Sequence, residues 1–221
     1  MTNHVYSDIK SINDQNVRKA LRGSLFGAPV SATAVTTLTV DGSTPGTPTL
    51  QTLPAGYVDF GRLSDAGAVL GSSVTQTDVA GWGSVVPVRS DITANKRTIQ
   101  VVGLETNKQT LAAYFQTDPS TIIPDGTTGE VIITEPDTPT VYYWRLLALA
   151  VDQVAAGEVY LARFFPNASV TNLGNINFDS SKDSVTFDAT FTAYRDATLG
   201  YSSKFFGAGP GWKSLKTGMG F

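Results

Sequence analysis

Residues 82–115, WGSVVPVRSDITANKRTIQVVGLETNKQTLAAYF, decide the reading of this chain. They read as a Trp-Gly-Ser turn, a short strand over residues 88–93, a polar loop, a second strand and a short capped helix. The second strand, over residues 96–104, carries Thr98, Ile99, Val101 and Val102. Such β-branched side chains fit a pleated, half-buried surface. After Glu105 the period changes. Thr106 or Asn107 can cap a helix N-terminus, and Leu111, Ala112 and Phe115 recur at helical spacing.

Working outward, the best alternation lies at residues 183–195. Val185, Phe187, Ala189, Phe191 and Ala193 share one face, and Thr186, Asp188, Thr190 and Thr192 share the other. That is a strand with one buried and one wet side. Residues 141–154 read as a long strand opening on Tyr142, Tyr143 and Trp144. Val154-Ala155-Ala156-Gly157 then turns the chain back into a strand over 158–165. Shorter strands are expected at 34–40, 57–61, 74–80 and 130–135, with a loop holding Gly61, Gly67 and Gly71. Ile9, Ile12, Val17 and Leu21 suggest a weak helix around 14–21, ended by Gly23, Gly27 and Pro29. Residues 197–221 show no period. The expected architecture is mainly β: an antiparallel β-sandwich over 30–196 with one flanking α-helix, an N-terminal arm over 1–29 and a C-terminal arm over 197–221.

Composition narrows the function classes. Charged residues make up 16% of the 221, below the usual quarter, so much of the surface is neutral and suited to being covered by neighbours. A net charge of −3 argues against a nucleic-acid grip, which needs clustered Lys and Arg. There is no cysteine, which removes disulfides, thiolate nucleophiles and cysteine-bound metals. The single histidine, His4, leaves serine–histidine catalysis and histidine metal sites without material. No apolar run is long enough to span a bilayer, and the first residues lack the apolar core of a signal peptide.

The candidate chemistry is weak beside its plainer readings. Gly207-Ala208-Gly209-Pro210-Gly211 is glycine-rich, but Pro210 removes a donor and no helix is expected to follow, so a flexible tail is the simpler reading. Asp59 with Asp65, Asp118 with Asp125, and Glu130 with Glu135 and Asp137 all flank turns, where carboxylates ordinarily face water. Asn167-Ala168-Ser169 fits a glycosylation acceptor, with no secretion signal to support it. Arg89, Asp91, Lys96 and Arg97 form a mixed cluster, either a solvated hairpin or a loop whose charges set register against a neighbouring subunit.

The order of three further runs adds to the opening stretch: Tyr143-Trp144-Arg145-Leu146-Leu147, then Ala162-Arg163-Phe164-Phe165-Pro166-Asn167-Ala168, then Phe191-Thr192-Ala193-Tyr194. With the Trp-Gly-Ser turn, Val88 to Thr93, and Leu104-Glu105-Thr106-Asn107-Lys108, this order resembles the major tail proteins (tail tube proteins) of long-tailed, siphovirus-like bacteriophages of actinobacterial hosts. The resemblance implies a structural virion protein and no enzyme or cofactor. It implies hexameric rings that stack into a tail tube around a tape-measure protein, assembled in the host cytoplasm. Tail terminator and distal tail proteins would be the further partners, no membrane would be involved, and DNA would pass through without sequence-specific binding.

On that reading, Ile12 and Phe26 in the N-terminal arm, Arg89 and Asp91 in the central loop, and Phe205, Phe206 and Trp212 in the C-terminal arm are expected between subunits. Thr186, Asp188, Thr190 and Thr192 are expected to face the lumen. The arms are expected to order on docking, so that replacing Phe206 and Trp212 by Ser leaves a folded monomer. The alternatives are a single-ring tail component, such as a terminator or distal tail protein, and a carbohydrate-binding sandwich using Trp82, Trp144 or Tyr57.

Overall fold

The computed structural model describes residues 5–6, 10–178 and 184–221; His4, Ile9 and Asp183 lie outside the described residues. The strands are β1 (Arg22–Pro29), β2 (Thr39–Asp41), β3 (Pro48–Leu50), β4 (Val58–Asp59), β5 (Leu63–Ala80), β6 (Pro87–Gly103), β7 (Tyr143–Val154), β8 (Gly157–Leu173), β9 (Phe187–Ala193) and β10 (Lys204–Ala208). Two short helices, α1 (Lys108–Tyr114) and α2 (Pro210–Leu215), accompany them. Strand makes up 44% of the chain against 10% helix, so the protein is mainly β.

All neighbouring strands run antiparallel, in the order β4-β1-β7-β8-β9-β6-β5. One edge of β8 serves two partners, β10 along 160–164 and β9 along 168–173. The strands at the two ends of the order, β4 and β5, are joined only by Phe60-Gly61-Arg62. The sheet must therefore curl back on itself, giving a two-layered, nearly closed sandwich. Gly61 has φ +81°, which the turn between the layers requires. Phe60 is buried at the closure, its ring 5.7 Å from Trp144 and edge-on to Phe191 at 6.1 Å.

Strands β7 and β8 are apolar on both faces because both are covered. Between the layers, Leu25, Phe60, Ile99, Val101, Trp144, Leu146, Phe165 and Phe191 form the main core. On the opposite face, Val35, Leu38, Leu147, Tyr160, Ala162 and Phe164 form a second core. Residues from 34–57 and 199–208 close over it. Helix α1 seals the main core with Ala112 and Ala113. Of the two expected caps, Asn107 is the one used: its Oδ1 accepts from the N–H groups of Gln109 and Thr110, both at 3.0 Å. Its Nδ2 donates to the Phe60 carbonyl at 2.8 Å, tying the helix to the closure.

Several expected elements differ. The short strand, polar loop and second strand expected over residues 88–104 are one continuous strand, β6, ending at Gly103, because β5 pairs along it with three register shifts. The loop expected around Gly67 and Gly71 is likewise part of β5, and the strand expected at 74–80 is its outer half. Residues 130–135 form no strand, and 34–40 is strand only from Thr39. The helix expected at 14–21 is a single 3-10 turn, Asp14–Asn16. Neither terminal segment is wholly an arm. Residues 22–29 are β1, a central strand with Leu25 and Ala28 buried, and 204–215 hold β10 and α2.

Candidate assembly interface

The largest exposed feature is the β5–β6 hairpin. From Ser72 to Lys96 every residue except Gly81 is exposed, on both faces of the ribbon. The tip is a turn in which Ser84 N–H donates to the Gly81 carbonyl at 3.1 Å, with Gly83 at φ +80°. Apolar residues are concentrated here: Val74, Val79, Trp82, Val85, Val86, Val88 and Ile92 are exposed, Trp82 and Val85 completely. A two-stranded ribbon with no core under it is marginal in water, and an apolar patch of this kind marks a contact surface. Arg89 and Asp91 lie on the same side of β6, Arg89 Nε donating to Asp91 Oδ1 at 3.0 Å. With side chains 71% and 49% exposed, the pair adds at most about 1 kcal/mol to the isolated chain. Arg97 sits apart at the hairpin's base.

The alternating strand near 183–195 is β9, and its two faces separate as expected in chemistry but not in exposure. Phe187, Ala189 and Phe191 are buried in or beside the main core. On the other face Thr192 is also buried, its hydroxyl 2.8 Å from that of Thr171, while Thr186, Asp188 and Thr190 are half-buried. This side is therefore not simply wet. Pairing extends it across the sheet: Thr192 lies between Thr98 and Ser169, and Thr190 between Gln100 and Asn172. The Gln100 amide donates to both carboxylate oxygens of Asp188 at 3.2 Å. The result is a continuous hydroxyl and amide surface with one carboxylate.

The terminal segments dock on their own chain. Arg18 pairs with Asp152 of β7 at 3.4 Å, both side chains nearly buried. Asn16 Nδ2 donates to the Gly218 carbonyl at 2.9 Å, joining the two termini. Phe26 and Phe206 pack against the second core, and Trp212 is half-buried with its ring 5.6 Å from Phe221. These three expected interface residues are thus engaged within the subunit, whereas Ile12 and Phe205 are each 62% exposed. The Ser replacements at 206 and 212 remove packing that the single chain already uses. Of the proposed sugar platforms, Trp144 is buried in the main core and Tyr57 donates its hydroxyl to the Thr33 carbonyl at 3.1 Å.

Two further surfaces carry no motif. The irregular segment 122–142 exposes Ile123 and Ile132. An open groove of about 950 Å³ separates the layers at one end of the main core, lined by Ala148, Ala150, Arg163, Ala68, Leu70 and Phe205. Among the described residues no helix is long and apolar enough to cross a membrane.

No curated protein matches the chain. A family model described as phage tail tube protein matches residues 10–204, from the N-terminal turn to the start of β10. That span takes in both cores, the hairpin and the polar face, and with it the chain belongs to the phage tail tube protein family, a structural component of the phage tail.

Proposed function

We propose that this protein forms hexameric rings that stack into the tail tube of a siphovirus-like phage of an actinobacterial host, the conduit for DNA ejection. The observation that carries the reading is the β5–β6 hairpin, whose apolar residues have no core beneath them in their own subunit. A neighbouring copy covers them, in the same ring or the next. Arg89 and Asp91 then set register, where charges contribute specificity more than affinity. Ile12 and Phe205 supply further exposed contacts.

The polar face of Thr98, Gln100, Asp188, Thr190 and Thr192 lines the lumen. Hydroxyls and amides with a single carboxylate give phosphates no cation to hold, so DNA and the tape-measure protein can slide. Terminator and distal tail proteins close the two ends, and assembly takes place in the host cytoplasm.

Negative-stain electron microscopy of the purified chain, with sedimentation across concentration, tests this. Hollow filaments or stacked hexameric rings are the expected result. Single rings that never stack point instead to a terminator or distal tail role. A monomer at all concentrations refutes self-assembly.

A further inference from the structure

We infer that the groove between the sandwich layers is the socket for the hairpin tip of a second copy of this chain. The inference rests on the tail tube reading and supplies the receiving surface that the reading leaves open. The groove is an unfinished end of the main core. Its floor is Ala148 and Arg163 in one cross-strand row, with Phe205 beside Arg163, and Ala150 and Leu161 in the next. Its opposite wall is Ala68 and Leu70 of β5, which pair with the core residues Val101 and Ile99. Small side chains floor an opening of about 950 Å³ that Arg22, Arg62, Asp59, Asp65 and Glu105 also line, so it suits an inserted segment that is apolar toward the floor and polar around it. The rim is also unfinished. β4 pairs β1 only at Phe26 and Gly27, and the outer edge of β5 has no partner strand among the described residues.

The hairpin tip has the matching properties. Trp82, Val85 and Val86 are the most exposed apolar side chains of the hairpin, and they sit in the turn that ends an extended ribbon whose strands can run along an open strand edge. They cannot reach their own groove. From Gly71 at the groove end of the hairpin to Ala80 at its tip is nine steps of about 3.3 Å, roughly 30 Å along a continuous ladder.

Charge gives a second, independent match. Arg163 is half-buried and desolvated, with Arg97 nearby, and both effects lower its pKa. It donates to the Ser203 hydroxyl at 3.3 Å and stacks on the Phe165 ring at 5.5 Å, but no carboxylate pairs with it among the described residues. Asp78, four residues before Trp82, is exposed and has no cation partner there either. A tip seated in the groove brings that carboxylate to Arg163, the groove's other charges, Arg22 and Arg62 against Asp59, Asp65 and Glu105, being of both signs. Phe205, exposed at the groove's lip, then closes over the inserted side chains.

The absence of cysteine makes the test clean. The double variant Val85→Cys with Ala150→Cys, oxidised after assembly, is expected to give a ladder of covalent oligomers on non-reducing gels. Neither single variant should do so. A disulfide needs Cα atoms within about 7 Å, so the two positions cannot bridge within one subunit. Tubes in the microscope without a ladder overturn the socket and leave the tail tube reading standing. Soluble cross-linked dimers without tubes uphold the socket and overturn the tube.

Asp78→Arg provides a check that leaves the core untouched. It should raise the concentration needed for assembly by roughly tenfold or more, through like-charge repulsion at Arg163. Adding Arg163→Asp should recover it. An unchanged assembly concentration in Asp78→Arg overturns the charge match, and with it the placement of the tip.

Discussion

Phe60 closes the sandwich where β4 becomes β5, and the closure can be tested by removing its ring and refilling the space from across the layer. Phe60→Ala takes away a buried side chain flanked by Trp144 and Phe191. Large-to-small changes at such sites cost about 3–5 kcal/mol. Gly27→Ala perturbs the same point from the other side. A methyl group at Gly27 meets Phe60 Cε2 at 2.6 Å and Trp144 Cε3 at 3.1 Å, so one ring must move. Overpacking of that kind costs about 1–3 kcal/mol. If the two sites were independent, the double variant would lose roughly 4–8 kcal/mol, comparable to the whole stability of many domains. They are not independent, because the atom that the new methyl group strikes is one that Phe60→Ala removes. The double variant should therefore be no worse than Phe60→Ala alone, a favourable coupling of about 1–3 kcal/mol. Urea unfolding of the four proteins, at concentrations below assembly, measures it. Additivity within about 0.5 kcal/mol would refute the claim that this pair closes the sheet.

Replacing Trp82, Val85 and Val86 together by Ser should leave the unfolding temperature of the monomer unchanged, since these side chains stand exposed with no core beneath them. Covering a side chain of Val size contributes about 1.5–3 kcal/mol, so assembly should need at least roughly a thousandfold more protein. Sedimentation reads this directly, and tubes at the wild-type concentration would sink the idea. Phe206→Ser should destabilise the fold by about 2–4 kcal/mol, because its ring packs in the second core. Phe205→Ser, next door but facing the groove, should leave stability unchanged; equal losses in the two would show that β10 is not oriented as described. Alkaline unfolding should begin above pH 10. Burial pushes Tyr57, Tyr142 and Tyr160 up to about 12, aided by Asp118 at Tyr142 and by Glu158 at Tyr160. A pKa raised in the folded state means that the native chain holds protons the unfolded chain has lost. Stability is thus complete below pH 10 and falls between pH 10 and about 12. A flat stability curve across that range, read by circular dichroism, would contradict it.

The parts of the fold legible in the sequence are those where one local pattern meets one environment. Asn107 caps α1, and the alternation at Phe187, Ala189 and Phe191 points the strand's apolar face into the core. The continuity of the hairpin is not legible, for a physical reason. Residues 88–96 alternate with neither period because both of their faces are exposed, so burial leaves no imprint on them. Only pairing with β5, from Arg89 opposite Val79 to Lys96 opposite Ser73, holds them as strand. β1 hides as an arm because Gly23, Gly27 and Pro29 look like breakers. At Gly27, however, the glycine makes room for the Phe60 ring, a contact that no local pattern carries. The terminal aromatics show the converse. Phe205 and Phe206 are equivalent in sequence, and only the pairing of β10 with β8 turns one outward and the other into the second core.

Surfaces left open within one subunit are what let a sparsely charged chain of this size specify a polymer. Among the described residues the subunit leaves three things incomplete: a ribbon without a core, a groove without a filling, and strand edges without partners. Each departs from what a self-sufficient monomer tolerates. Ribbon tip and groove are separated by the length of the hairpin, so one copy can neither satisfy itself nor exhaust its contacts on one neighbour by a single head-to-tail contact. On the proposed docking, every added copy would consume one groove and present another. Such a contact closes into a ring when the rotation between copies divides the circle, and otherwise continues as a helix. Membership of the tail tube family selects an outcome that continues along an axis. The angle at which the hairpin leaves the sandwich, set where β5 and β6 outrun the core at Gly71 and Thr98, then becomes a determinant of tube geometry. A change in register there should alter the tube's dimensions without unfolding the subunit.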